Sequence, residues 1–279
     1  MKSLTKRLIL TFTAVPALFS LIFFLPHYNH LGFAILTFLA LLLGSYEING
    51  ILFTKEEKPI IPFYFCAFLP LIYYLEKIFL KTSLITIIYF FCLVLVAFCI
   101  EVFNGVKDDF ENSLIKIAKT VFSFVYPPLF SLFLIEILFF KESTLLLLFL
   151  FLLVFGNDTF AYVFGMAFGK NNRNLFKVSP NKSLVGFIGG FLATMAISCL
   201  YVILIPTMSA LFNCLQALLF GFVIALTSNI GDLAESLIKR SAKVKDSGHM
   251  ILGRGGILDS IDSLLASAPI FLLLVVLLT

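Results

Sequence analysis

Long apolar runs separated by short polar islands set the pattern of this chain. Nine runs read as membrane helices, at about 8–25, 31–53, 60–75, 84–103, 120–140, 144–169, 183–205, 209–231 and 257–278. A hydrocarbon core of about 30 Å takes roughly 20 apolar residues per helix. The third run is short, and Pro62 and Pro70 predict an irregular or tilted element there. The first run has a Lys/Arg-rich flank, as a signal peptide would. No small-x-small cleavage site with a soluble domain after it appears, so it reads as the first membrane helix. The pattern predicts an all-α integral membrane protein with about nine transmembrane helices and a polar site facing the cytoplasm. It is one membrane domain overall, with N-terminal helices over 1–140 and a chemistry-bearing region over 141–279.

Composition strengthens this picture. The chain is 61% hydrophobic and 13% charged, whereas a soluble domain is about half apolar and about a quarter charged. Charge then orients it. With the N-terminus in the cytoplasm and the side alternating at each run, the Lys and Arg residues fall almost entirely inside, leaving only Lys77, Lys81 and Lys141 outside. Such a bias is what the positive-inside rule describes. The polar loops 104–119, 170–182 and 232–256 all fall on the cytoplasmic side. The expected location is the cytoplasmic (inner) membrane. The five cysteines lie in apolar runs without a C-x-x-C pair, so they read as small packing residues. No internal repeat of the kind common in transporters appears.

Ionisable groups gather between Gly231 and Leu264. Asp259 and Asp262 stand three apart at the start of the last run, after Gly255-Gly256. That spacing puts both carboxylates on one helical face. Adjacent carboxylates repel unless a cation lies between them or one is protonated, and hard oxygen ligands suit Mg²⁺. Solvated acids at a helix N-terminus, favoured by the dipole, are the plainer reading. A second pair of the same spacing, Asp232 and Glu235, follows the eighth run and weighs against it. Lys239, Arg240, Lys243, Lys245 and Asp246 lie between the pairs. Positive-inside bias alone accounts for such a basic segment; the nearby carboxylates add the alternative of a phosphate clamp.

A second polar island runs from Asn157 to Gly190. Asp158 interrupts an apolar helix and is expected to face the protein interior or a water-filled cavity. Gly165 and Gly169 form a G-x-x-x-G packing motif. Ser179-Pro180-Asn181-Lys182-Ser183 opens the next helix with hydroxyls and a Lys, which suits either an N-cap or a phosphate site. Glu47 and Glu101 also lie in apolar runs. Glu101 reads as solvated near a helix end, and Glu47 as a partner for a cation from another helix. Neither is assigned to catalysis.

At these residues the chain resembles the phosphatidate cytidylyltransferase (CDP-diacylglycerol synthase) family. The C-terminal signature is matched by Ser236, Lys239, Arg240, Lys245, Asp246, Gly248, Gly253, Gly255, Gly256, Asp259 and Asp262 in register, after Gly231-Asp232-Leu233 with Glu235. Upstream, Asp158-Thr159 with Ala161-Tyr162, Phe168-Gly169-Lys170, Ser179-Pro180 with Lys182-Ser183, and Gly189-Gly190 match further motifs. The match covers about 155–265. Four positions depart from it: Leu252 stands for Pro, Arg254 for His, Ser260 for Arg and Val185 for Glu.

The resemblance implies a nucleotidyltransferase that condenses CTP with phosphatidate to CDP-diacylglycerol and pyrophosphate in phospholipid biosynthesis. It implies Asp232, Asp246, Asp259 and Asp262 as the carboxylates of a Mg²⁺ site, with room for two metals or a monovalent cation. Lys239 joins these in catalysis. Ser179, Lys182, Ser236, Arg240, Lys245 and Arg254 are implied as contacts to substrate phosphates. CTP, phosphatidate and membrane lipid are the expected partners, with a homodimer allowed and no nucleic acid. Because glycines permit a sharp turn, Arg254 is expected either to replace the charge missing at Ser260 or simply to point to the cytoplasm. A related CTP-dependent enzyme acting on another lipid, and a lipid-binding homologue without turnover, remain open.

Overall fold

The computed structural model describes residues 3–54, 57–170, 172, 176–251 and 255–279, and the side chains of all of these except 3–12, 107 and 108. The helices are α1 (Ser3–Phe24), α2 (His27–Leu52), α3 (Phe63–Ala67), α4 (Leu69–Phe79), α5 (Leu84–Asn104), α6 (Ser113–Phe124), α7 (Phe130–Ile137), α8 (Ser143–Phe168), α9 (Leu184–Leu204), α10 (Pro206–Leu211), α11 (Cys214–Ser241) and α12 (Leu258–Leu278). Among the described residues no strand forms; Phe176 with Ser179, and Ile251 with Gly255, make isolated bridges. The protein is an all-α integral membrane protein.

Seven helical stretches are long and apolar enough to span: α2, α5, the α6–α7 pair, α8, α9, α11 and α12. The expected count of nine is not reached among the described residues. In the third run, α3 ends and α4 begins around Phe68, with Pro70 in the first turn of α4. Proline has no N–H to continue a preceding helix, but is accommodated at a helix start. The apolar helix described in the first run, Thr13–Phe24, is shorter than a span. Two predicted boundaries move. The fifth run begins at Ser113 rather than near 120, and α11 continues to Ser241. No Gly or Pro interrupts 232–241, and Lys239 and Arg240 in the last turn complement the helix dipole. The first ten residues of the predicted 232–256 loop are therefore helix.

The chain divides into two compact units, Met1–Phe139 with Asp246–Ser260, and Phe140–Lys245 with Ile261–Thr279. In the first, Ile61, Cys66, Leu93, Ala97 and Phe124 form a buried cluster. Its buried acids are held by donors. Glu76 accepts bonds from Thr82 and from the amides of Ile85 and Thr86 at the start of α5. Glu101, expected to be solvated, is buried at 4% exposure; it accepts from Ser113 Oγ at 2.8 Å and pairs with Lys116 at 3.7 Å. The turn into α6 brings these partners back over it.

The second unit packs around rings. Phe149, Phe220 and Phe271, from α8, α11 and α12, meet at centroid distances of 5.4 to 5.9 Å, and Tyr201 stacks on Phe149 at 4.9 Å. Small residues set the helix spacing here. A Cβ on Gly186 of α9 would lie 2.6 Å from the Ala161 carbonyl of α8, and one on Gly221 of α11 would lie 2.5 Å from Met195 Cα of α9. Without a driving force from water, close backbone approach of this kind holds membrane helices together.

Candidate active site

The second unit assembles one acid–base group along α11 and α12. Gly231 is where α11 crosses α12: a Cβ there would sit 3.0 Å from the Asp262 carbonyl and 3.2 Å from Ser263 Cα. The next turn of α11 then carries Asp232 and Glu235 alongside Asp262. The Asp262 carboxyl lies within electrostatic reach of both Glu235 and Asp232. Asp262 Oδ1 accepts from Ser263 N at 2.6 Å, while Oδ2 is buried with no donor among the described residues. Glu235 is 1% exposed and Asp262 4%. Buried carboxyls pressed together cost free energy unless a cation or proton intervenes.

Cations flank this group. Lys239 Nζ donates to Glu235 Oε2 at 3.0 Å, one helical turn along α11, and is itself buried. Lys182 pairs with Asp232. Lys182 immediately precedes Ser183, which caps α9 by accepting from Gly186 N at 3.1 Å. Ser183, rather than Ser179, thus makes the helix start; Ser179 contributes its carbonyl, which accepts from Lys182 N. Arg240 donates to the carbonyls of Val178 and Val244 at 3.4 and 3.3 Å, fastening the 176–183 segment and the end of α11. Ser236 is half-buried and Lys245 exposed.

A polar ladder, of which sequence reasoning picked out only Asp158, lies in the same unit. Asn157 donates to Ser228 Oγ and accepts from Asn229 Nδ2, both at 3.3 Å, and Ser228 Oγ donates to Asp158 Oδ1 at 3.4 Å. Asn157 and Ser228 are fully buried. The adjacent Ser228-Asn229 pair inside an apolar run was the available signal.

The first unit holds Asp246, Asp259 and a residue set aside in the sequence, Glu47. Asp259 Oδ2 accepts from Gly256 N at 2.7 Å and Ser247 N at 3.0 Å. Among the described residues Glu47, on α2, pairs with no cation, contrary to expectation. It accepts from Ile257 N at 3.0 Å, Leu258 N at 2.9 Å and Ser247 Oγ at 2.9 Å. The carboxylate closes the N-terminus of α12, where free amides and the dipole favour negative charge. Gly255 turns there with φ +104°, and a Cβ on it would run into Asp259 Oδ2. Asp246 is exposed. Arg254, Leu252 and Gly253 lie outside the described residues, and Ser260 Oγ bonds back to the Gly256 carbonyl at 3.4 Å.

In the second unit the carboxyl oxygens of Asp232, Glu235 and Asp262 suit a hard cation, and Asp262 Oδ2, donorless among the described residues, has the character of a ligand. Among the described residues, however, no three His, Cys, Asp or Glu side chains are drawn together closely enough to cage a metal.

The cytidylyltransferase family profile matches residues 5–278. The chain belongs to the cytidylyltransferase family. Among curated proteins it is 43% identical over 131 residues to the uncharacterized protein YnbB of Escherichia coli, covering 47% of this chain and 42% of that protein. It is 42% identical over 117 residues to the phosphatidate cytidylyltransferase of Chlamydia pneumoniae, 41% of this chain and 37% of the relative. With the phosphatidate cytidylyltransferase of Aquifex aeolicus it shares 37% identity over 158 residues, 56% of each. The matched stretch thus spans about half the length of the curated relatives.

Proposed function

We propose that this protein is a phosphatidate cytidylyltransferase: a phosphate oxygen of phosphatidate attacks the α-phosphorus of CTP, the bond to the β-phosphate bridge breaks, and pyrophosphate leaves. The attacking oxygen is already anionic, so no protein nucleophile or base is required. Catalysis is then positioning and charge neutralisation. The observation that supports this best is the grouping of Lys182, Asp232, Glu235, Lys239 and Asp262 in one unit. Lys182 and Lys239 would bind phosphate oxygens, with Arg240 holding the loop that bears Lys182. Asp232 and Asp262 would hold Mg²⁺, which when bound supplies positive charge to the phosphoryl oxygens; Asp246 and Asp259 are proposed as further ligands. The names carried by two of the relatives point to the same substrates.

The direct test is purified protein in detergent with CTP, Mg²⁺ and phosphatidate, assayed for CDP-diacylglycerol. Product only with another lipid acceptor would replace phosphatidate in this reading, and CTP binding without turnover would make the chain a degenerate homologue. Arg254→Ala tests the charge replacement at Ser260. A loss on the order of 10²-fold, as for removal of a transition-state phosphate contact, is expected; unchanged activity ends that idea.

The distribution of Lys and Arg supports a cytoplasmic N-terminus, with α1 and the broken α3–α4 pair each crossing the membrane. Single cysteines at Thr82 and Lys243 should then label from opposite sides.

A further inference from the structure

We infer that Glu47 is a positioning residue for the glycine-rich segment 246–259, holding the two carboxylates at its ends, Asp246 and Asp259, in register. The inference rests on the proposed reaction for its kinetic consequences only. Glu47 belongs to α2, about two hundred residues away in sequence, and to no part of the signature. Yet both its oxygens are spent on this one segment, at Ser247, Ile257 and Leu258.

Ser247 is the relay. Its hydroxyl donates to Glu47 and accepts from Asp259 N at 3.4 Å, while its own amide donates to Asp259 Oδ2. Asp246 is its chain neighbour. Freeing the Ser247 hydroxyl would loosen both ends of the segment together. The glycines fit the same account. The three atoms nearest to a Cβ on Gly248 would all belong to Glu47, and one on Gly256 would meet Glu47 and Ser247. Gly248 has no positive φ, so its small size here makes room for a carboxylate that three donors prevent from moving.

Glu47 is buried at 4% exposure and touches none of the proposed phosphate-binding residues among its described bonds. It acts through backbone position, and displacing a catalytic group by about 1 Å can cost 10²-fold in rate. Glu47→Ala should therefore lower turnover on the order of 10²-fold, with far smaller changes in KM for CTP and phosphatidate, and Glu47→Gln, which keeps one acceptor, should fall between.

The decisive readout is hydrogen–deuterium exchange of the 246–258 peptide in detergent. Glu47→Ala and Glu47→Gln should speed it, most at the Ile257 and Leu258 amides. Gly248→Ala should speed exchange in the unmutated background and add far less once Glu47 is Ala, since the nearest atoms in its way belong to Glu47. Should Glu47→Ala fail to insert, Glu47→Gln and Gly248→Ala carry the same readouts. Unchanged exchange in the Glu47 variants overturns the inference, as does faster exchange with unaltered turnover. Exchange does not depend on turnover. An unmutated protein without cytidylyltransferase activity would sink the proposed reaction and leave exchange to decide the role of Glu47.

Discussion

Glu47 and Asp262 are equally buried, each at 4% exposure, and each stands in an apolar membrane-spanning helix. Their surroundings are opposite. Glu47 meets two amides and a hydroxyl. Asp262 meets one amide, two neighbouring carboxyls and, at Oδ2, no donor. A buried carboxylate fed by N–H donors is a fastening: its charge is already compensated. One crowded by other acids costs free energy until a cation or a proton arrives, as a ligand site would require. Burial alone does not separate structural acids from functional ones; the identity of the partners does.

The comparison is broken most directly at Asp262. Asp262→Asn should abolish CTP turnover. Retention of more than about a tenth of activity, under roughly 1.4 kcal/mol of barrier, would remove Asp262 from the site. In EDTA the same variant should melt at a higher temperature than the unmutated protein, because like-charge crowding is relieved. Mg²⁺ at a hundredfold excess over Kd should add about 2.7 kcal/mol of stability to the unmutated protein and little to Asp262→Asn. Asp259→Asn should likewise abolish turnover, without the gain in EDTA, since its carboxylate already has amide donors.

Next in size is the pair beside Asp262. Lys239→Met leaves Glu235 without its buried cation and should cost about 3–5 kcal/mol in stability. Adding Glu235→Gln should recover most of that stability but not activity. Recovery of both would make the pair purely structural.

Glu47→Ala should destabilise the protein by about 3 kcal/mol, the cost of unpairing buried donors from a charged acceptor. No Mg²⁺ titration should offset this, in contrast to Asp262, and chemical denaturation in detergent with and without Mg²⁺ would show it. The smallest effect is expected in the neutral ladder. Asn157→Ala should cost about 0.6–1.7 kcal/mol, as hydrogen bonds between membrane helices do, and a larger loss confined to activity would tie the ladder to Asp158.

Run length and hydrophobicity alone determined that this is a helical membrane protein, and where most of its spans lie. The spacing of Asp232 with Glu235 and of Asp259 with Asp262 drew attention to these acids, and the family resemblance added Lys239 and Asp246. Both are local signals, since they depend on one helix against lipid or on neighbours along one segment. The sequence misjudged the extent of α11 because loss of hydrophobicity was read as loss of helix, whereas polar residues continue a helix when another helix covers them. Only the tertiary structure decided that Gly231 lets α11 touch α12 beside Asp262, and that Asn157, Ser228 and Asn229 join. It alone placed Glu47 at the amides of 257 and 258. Those pairings link residues far apart in the chain, where no periodicity records them. A carboxylate in an apolar run carries no mark of whether it will meet donors, cations or other acids.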